Sequence, residues 1–213
     1  VIYDERVSSG LVGHFLSAVN GAAITRGSSW LKDSLGKQVL PSTCKLVENP
    51  HRLRAGASRL FDSEGLATKK REILSKGVLN GWTLDLASAR KLGMKPTANA
   101  SRNVSSNPSP TNWNIELSSP EDYCDNLLSE MGNGLLVTSL IGSTINPNTG
   151  DYSRGVSGFW VENGQICYPV SEITIAGNLR DMLKKIILGN DAQRHLSYVV
   201  PSILVEEMTL AGS

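Results

Sequence analysis

The chain has 213 residues and a formal net charge of +1 from 21 basic and 20 acidic side chains, which allows one sizeable domain or two small ones and indicates no general polyanion-binding surface. Its three cysteines, Cys44, Cys124 and Cys167, are odd in number and widely spaced, with no Cys-x-x-Cys pair; this fits reduced thiols in a cytoplasmic protein and argues against a disulfide framework or a zinc knuckle. No apolar run approaches the ~20 residues that span a bilayer, and no charged-then-apolar leader is present, so no membrane role is expected.

Val1-Ile2-Tyr3 reads as a strand already under way and lacks an initiator methionine, so a preceding part of the natural protein is expected. Ser8 and Ser9 precede a helical pattern in which Val12, Phe15, Leu16 and Val19 share a face, ending near Gly21. Gly10 and Gly13 weaken that helix by about 1 kcal/mol each relative to alanine, so close packing must hold it. A second short helix is expected over Trp30–Leu35, closed by Gly36. Strands follow around Val39-Leu40 and Lys45–Val47, then a polar loop at Asp62-Ser63-Glu64-Gly65. The local basic run Lys69-Lys70-Arg71 reads as a solvated loop or helix start.

Asn80-Gly81 suggests a hairpin turn, and Ala87–Leu92 a short helix stopped by Gly93. The stretch from Thr97 to Asn114, rich in Asn, Ser and Pro, is the candidate for a long exposed loop. Ser119-Pro120-Glu121-Asp122 opens a further helix, closed by Gly132. Gly134–Ile141 is expected as a buried strand, and Val199–Met208 as another.

The densest local signal lies between Gly150 and Gly189. Asn163-Gly164 separates the apolar runs Phe159–Val161 and Ile166–Tyr168, and both residues tolerate the positive φ of a type I′ turn. Asn178 can cap a helix carrying Asp181 in its first turn, Leu179, Met182, Leu183, Ile186 and Ile187 at helical spacing, and Lys184-Lys185 near its end. The fold class is therefore α+β, with a largely antiparallel, curved, barrel-like sheet and several short helices.

Chemistry is sparse. The histidines are His14, His51 and His195; a turn away from His14 stand Gly10 and Ala18, which cannot bind a metal, and a hydrolytic zinc site needs three protein ligands. No Gly-x-Ser-x-Gly elbow, phosphate loop or dinucleotide motif occurs. The residues alone give an α+β domain that binds something, and the expected ligand is a peptide at a sheet edge.

The block from Gly150 to Leu179, with Ser28–Gly36, Phe61–Thr68, Ala89–Met94 and Met131–Thr138, resembles the PmbA/TldE branch of the TldD/PmbA family, and the likeness runs on to Met208–Gly212. The resemblance implies the C-terminal domain of a subunit, residues 1–213, with an N-terminal domain preceding it in the natural protein. It implies pairing with a TldD-like catalytic subunit in a cytoplasmic zinc metalloprotease that acts on short or unfolded peptides, including peptide-antibiotic precursors and antitoxins. The family also carries the older name modulator of DNA gyrase.

The catalytic branch has a His-Glu-x-x-x-His motif, and the matching run here is Ser9-Gly10-Leu11-Val12-Gly13-His14. Ser9 stands for the first histidine, Gly10 for the glutamate, and only His14 survives. No cysteine stands near Arg194–Tyr198, where the family completes its zinc site. The resemblance therefore implies a non-catalytic chain, no cofactor of its own and zinc on the TldD partner.

Asp151, Tyr152 and Arg154 are candidates for the interface or substrate channel; the competing reading is a local salt bridge. A homodimer of isolated copies is compatible with a pseudo-symmetric pair. Two other functions stand beside this one. One is an active metallopeptidase in which His51 or His195 joins His14. The other is a DNA gyrase-linked role, against which the balanced charge argues.

Overall fold

The computed structural model describes residues 1–120 and 122–212; Glu121, part of the expected helix start at Ser119–Asp122, lies outside the described residues, as does Ser213. Strand β1 (Ile2–Tyr3) leads directly into helix α1 (Glu5–Ala18). Asp4 caps it, its Oδ1 accepting from the Arg6 amide at 3.1 Å. The helix thus begins well before the Ser8-Ser9 boundary expected from sequence, and Ser8 is buried inside it. Helix α2 (Gly21–Thr25) follows, capped by Asn20.

Trp30–Leu35 forms turns instead of a helix. Ser29 Oγ donates to Ala18 O at 2.6 Å and accepts from Leu31 N at 3.0 Å, offering the backbone a competing set of bonds. The expected strand at Val39-Leu40 reduces to a bridge between Gln38 and Val78.

Strands β2 (Lys45–Glu48), β3 (Arg71–Ser75) and β4 (Val78–Leu79) form an antiparallel set. The β3–β4 turn is Lys76-Gly77, at φ 49° and 71°, and not Asn80-Gly81. A Cβ on Gly77 would lie 2.2 Å from Leu40 O, so the neighbouring chain selects glycine there. Arg71, read from sequence as part of a solvated run, lies in β3 with its guanidinium on Glu48.

Helix α3 (Leu86–Leu92) has an Asp85/Ser88 capping box and ends at Gly93 in the left-handed region, as expected. The 97–114 segment contains β5 (Ala100–Ser101) and β6 (Ser109–Pro110) and leads into β7 (Ile115–Ser118). It is not exposed throughout, since Ala98, Asn99, Trp113 and Asn114 are buried. Strand β8 (Tyr123–Cys124) takes the place of the expected first helical turns, and helix α4 (Leu127–Met131) starts at an Asn126 cap.

Strands β9 (Gly134–Ile145), β10 (Asp151–Glu162) and β11 (Gln165–Asn178) form a long meander, with Asn163 and Gly164 at φ 49° and 74° in the expected hairpin turn. Asn178 caps α5 (Leu179–Met182), but after a 3-10 turn over Leu183–Lys185 the chain becomes β12 (Ile186–Gly189). The β-branched pair Ile186-Ile187 aligns with Val205 and Leu204, so cross-strand pairing overrides the helical spacing. The expected strand from Val199 to Met208 is split into β13 (Tyr198–Val199) and β14 (Ile203–Val205) around Pro201, before β15 (Thr209–Ala211).

The larger sheet has the order β15-β11-β10-β9-β1-β14-β12-β8 and the smaller β13-β7-β2-β3-β4, with β5 and β6 paired apart. The α+β class holds. The barrel-like expectation does not: the larger sheet ends at β15 and β8, with no bonding between them. Most neighbours are antiparallel, but β1–β9, β8–β12 and β7–β13 run parallel, so both sheets are mixed. Val12 and Phe15 of α1 meet Leu46, Leu74 and Leu117 of the smaller sheet and Ile186 and Ile203 of the larger one, giving a shared apolar interior.

Candidate functional site

Helix α1 buries Leu11, Val12, Phe15 and Leu16. Gly10, His14 and Ser17 follow another flank, about one turn apart. Gly10 lies over β9: a Cβ there would be 3.8 Å from Leu140 Cδ1. Next to Gly13 a Cβ would meet nothing within 4 Å. Ser9 precedes His14 by five positions, which on a regular helix turns the two side chains about 140° apart. The structure therefore does not bring Ser9 and His14 together.

His14 reaches β10 instead. Its ring stands edge-on to that of Tyr152, with centroids 5.9 Å apart and planes at 69°. Burial, and secondarily the charge of Arg154, lower the His14 pKa. The imidazole is therefore neutral at neutral pH. Its Nε2 is buried without a hydrogen-bond partner among the described residues.

Tyr152 and Arg154 alternate along β10 and share a face. Opposite Arg154, positions 142 and 143 of β9 face one residue of β10, a bulge in which Gly142 takes φ 66°. Tyr3 of β1 is fully buried beside Tyr152, its hydroxyl 3.6 Å from Met208 Sδ. Burial raises the pKa of both phenols. Among the described residues Arg154 forms none of the ion pairs, and its buried Nε has no acceptor.

Asp151 stands apart from this group. It accepts from Thr149 Oγ1 at 2.5 Å and from Asn178 Nδ2 at 3.0 Å, tying the turn before β10 to the α5 cap. These bonds hold its pKa below the ordinary carboxylate value. The salt bridge considered from sequence is not formed: Asp151 pairs with Thr149 and Asn178, not with Arg154.

His14, Ser17, Arg26, Trp30, Ile145 and Pro147 line an open cavity of about 260 Å³. The remaining histidines are elsewhere: His51 Nε2 is 3.0 Å from Thr68 Oγ1, and His195 is exposed. No group of three or more His, Cys, Asp or Glu side chains able to hold a metal occurs among the described residues. The residues present do not fit a catalytic zinc, which needs three protein ligands. His14, Tyr152 and Arg154 stand out in the sequence, whereas Tyr3, Arg26 and Trp30 come to the site only by long-range pairing and loop packing and carry no local signal.

No helix of the described residues is long and apolar enough to cross a membrane. The family model described as PmbA/TldA metallopeptidase C-terminal domain matches residues 1–212. The chain is 46% identical over 213 residues to the metalloprotease PmbA of Escherichia coli O157:H7, covering all of this chain and 45% of that protein. Its fold superimposes on a protein from Bacteroides thetaiotaomicron, described as a candidate modulator of DNA gyrase, with TM-score 0.86 and 33% identity over 100% of this chain and 46% of the other. Against TldE of Thermococcus kodakarensis the TM-score is 0.84 at 21% identity, covering 99% of this chain and 49% of that one, a likeness of fold. The chain thus spans about half the length of its relatives, and over that span it belongs to the PmbA/TldD metallopeptidase family.

Proposed function

We propose that these residues form the C-terminal domain of a non-catalytic, TldE-type subunit that works with a zinc-bearing, TldD-like subunit in a cytoplasmic peptidase for short or unfolded peptides. The remaining length of the natural protein is then an N-terminal domain. The observation that carries this reading is the surroundings of His14: a lone neutral imidazole packed on Tyr152, with Gly10 and Ala18 one helical turn away, neither of which supplies a second ligand or a general base. Such a subunit contributes by shaping a chamber and aligning an extended substrate beside the partner's metal.

The test is a peptidase assay on unfolded peptides with this protein alone, a TldD-like subunit alone, and the two together, with zinc measured on each. Activity confined to the mixture, with zinc on the TldD-like chain, supports the proposal. Chelator-sensitive hydrolysis by this protein alone, with stoichiometric zinc, overturns it.

A further inference from the structure

We infer that Arg154, with His14 beside it, forms a subsite for the carboxylate of an extended peptide; the inference rests on the peptide-handling reading above and names the substrate group this chain itself would hold.

Charge is the first ground. Arg154 is partly buried, and among the described residues it makes no ion pair and its Nε has no acceptor. A guanidinium nitrogen withdrawn from water without an acceptor is costly, and that cost is recovered when an anion arrives. The groups around it do not supply one. Tyr3 and Tyr152 are buried phenols that stay protonated, and Asp151 is committed to Thr149 and Asn178.

Donor geometry is the second ground. His14 Nε2 is a second buried nitrogen without a partner, adjacent to the Tyr152 ring. One fixed positive charge with neutral imidazole and phenol neighbours matches a singly charged, planar carboxylate, which a guanidinium binds in a forked, two-bond geometry.

Access is the third ground. The cavity lined by His14, Ser17, Arg26 and Trp30 brings open space to the His14 member of the pair, and a Cβ at Gly13 of the same helix would meet nothing within 4 Å. The β9 bulge opposite Arg154 is the kind of local irregularity that re-aims a side chain.

The experiment is calorimetric titration of the full-length protein, without any partner subunit, with tetra-alanine as free acid, as its C-terminal amide, and with an amidated Ala-Asp-Ala-Ala. The free acid is expected to bind at least about tenfold more tightly than the amide, the gain of one charge-assisted pair. Arg154→Met should bring the free acid down to the amide's affinity, whereas Arg90→Ala, on the exposed face of α3, should leave the preference intact. If the amidated Asp peptide binds as tightly as the free acid, the carboxylate recognised is a side chain's; if it binds like plain amide, the C-terminus is the source.

Equal binding of acid and amide, absence of binding by all three peptides, or a folded Arg154→Met protein that keeps the preference would each overturn the inference. Should Arg154→Met fail to fold, the acid-amide comparison on the unsubstituted protein, repeated with His14→Gln, still decides it. A carboxylate preference without any activity in the mixed-subunit assay would sink the non-catalytic-partner reading alone, and the reverse pattern would sink the subsite alone.

Discussion

The imidazole of His14 stands edge-on to the phenol ring of Tyr152, with centroids 5.9 Å apart, and its buried Nε2 has no partner among the described residues. Burial and the Arg154 charge lower its pKa from the ordinary 6.5. The unfolded chain therefore takes up the His14 proton at a higher pH than the folded one. Stability contributed by the neutral ring is complete above pH 6.5 and is lost as pH falls from there toward the lowered folded value. Thermal unfolding at pH 7.5 and 5.5 should show a smaller decrease for His14→Gln than for the unsubstituted protein. Equal decreases would mean that His14 titrates as if free in solution.

Glu48 is the electrostatic centre of the smaller sheet. Its side chain is 1% exposed; Oε2 accepts from Arg71 Nε at 2.5 Å, and Oε1 accepts from Asn99 Nδ2 at 2.9 Å, Asn112 Nδ2 at 3.1 Å and Trp113 N at 2.6 Å. Arg71 also donates to Trp82 O at 3.0 Å and Thr83 Oγ1 at 2.9 Å. Removing either charge strands the other, so Glu48→Ala or Arg71→Ala should each cost about 3–5 kcal/mol. The double substitution Glu48→Leu/Arg71→Met should cost clearly less than the sum of the two single changes, because no buried charge is left alone. Denaturant melts of the four proteins measure this; strict additivity would show the pair to be uncoupled.

That network also shows which parts of the structure could be read from sequence. The hairpin at Asn163-Gly164, the Asn178 cap and the Gly93 stop were legible because each is specified by residues within a few positions. Glu48–Arg71 and Tyr3–Tyr152 were not, since their partners are far apart in sequence and carry no local signature. Lys76-Gly77 and Asn80-Gly81 are competing turns a few residues apart, and contact with Leu40 O decided between them. At Ile186-Ile187, helical spacing and β-branching disagreed, and the waiting edge of β14 favoured the strand. His14, Tyr152 and Arg154 were each visible as residue types, but their juxtaposition depends on α1 lying across the sheet.

The thiols should react in order of access. Cys44 is 1% exposed and burial pushes its pKa up to about 11, whereas Cys167 is exposed and Cys124 is intermediate. With a pKa three units above the medium at pH 8, the thiolate fraction of Cys44 is on the order of 10⁻³, and the thiolate is the species that reacts. Iodoacetamide labelling followed by peptide mass spectrometry should find Cys167 modified first and Cys44 modified only under denaturing conditions. Early labelling of Cys44 in folded protein would contradict its place in the core.

Two glycine-to-alanine changes should act in opposite directions. A Cβ on Gly158 would lie 1.9 Å from Leu136 O, a backbone atom that cannot move without shifting β9, and the β9–β10 register already breaks at this point. Gly158→Ala should therefore destabilise by about 2–3 kcal/mol through overpacking. Gly13 lies inside α1, where a Cβ would meet nothing within 4 Å. Gly13→Ala lowers the backbone entropy of the unfolded chain without a steric cost and should stabilise by about 0.5–1 kcal/mol. Denaturant unfolding of both variants reads the two signs. A destabilised Gly13→Ala protein would contradict the open space found beside this position of α1.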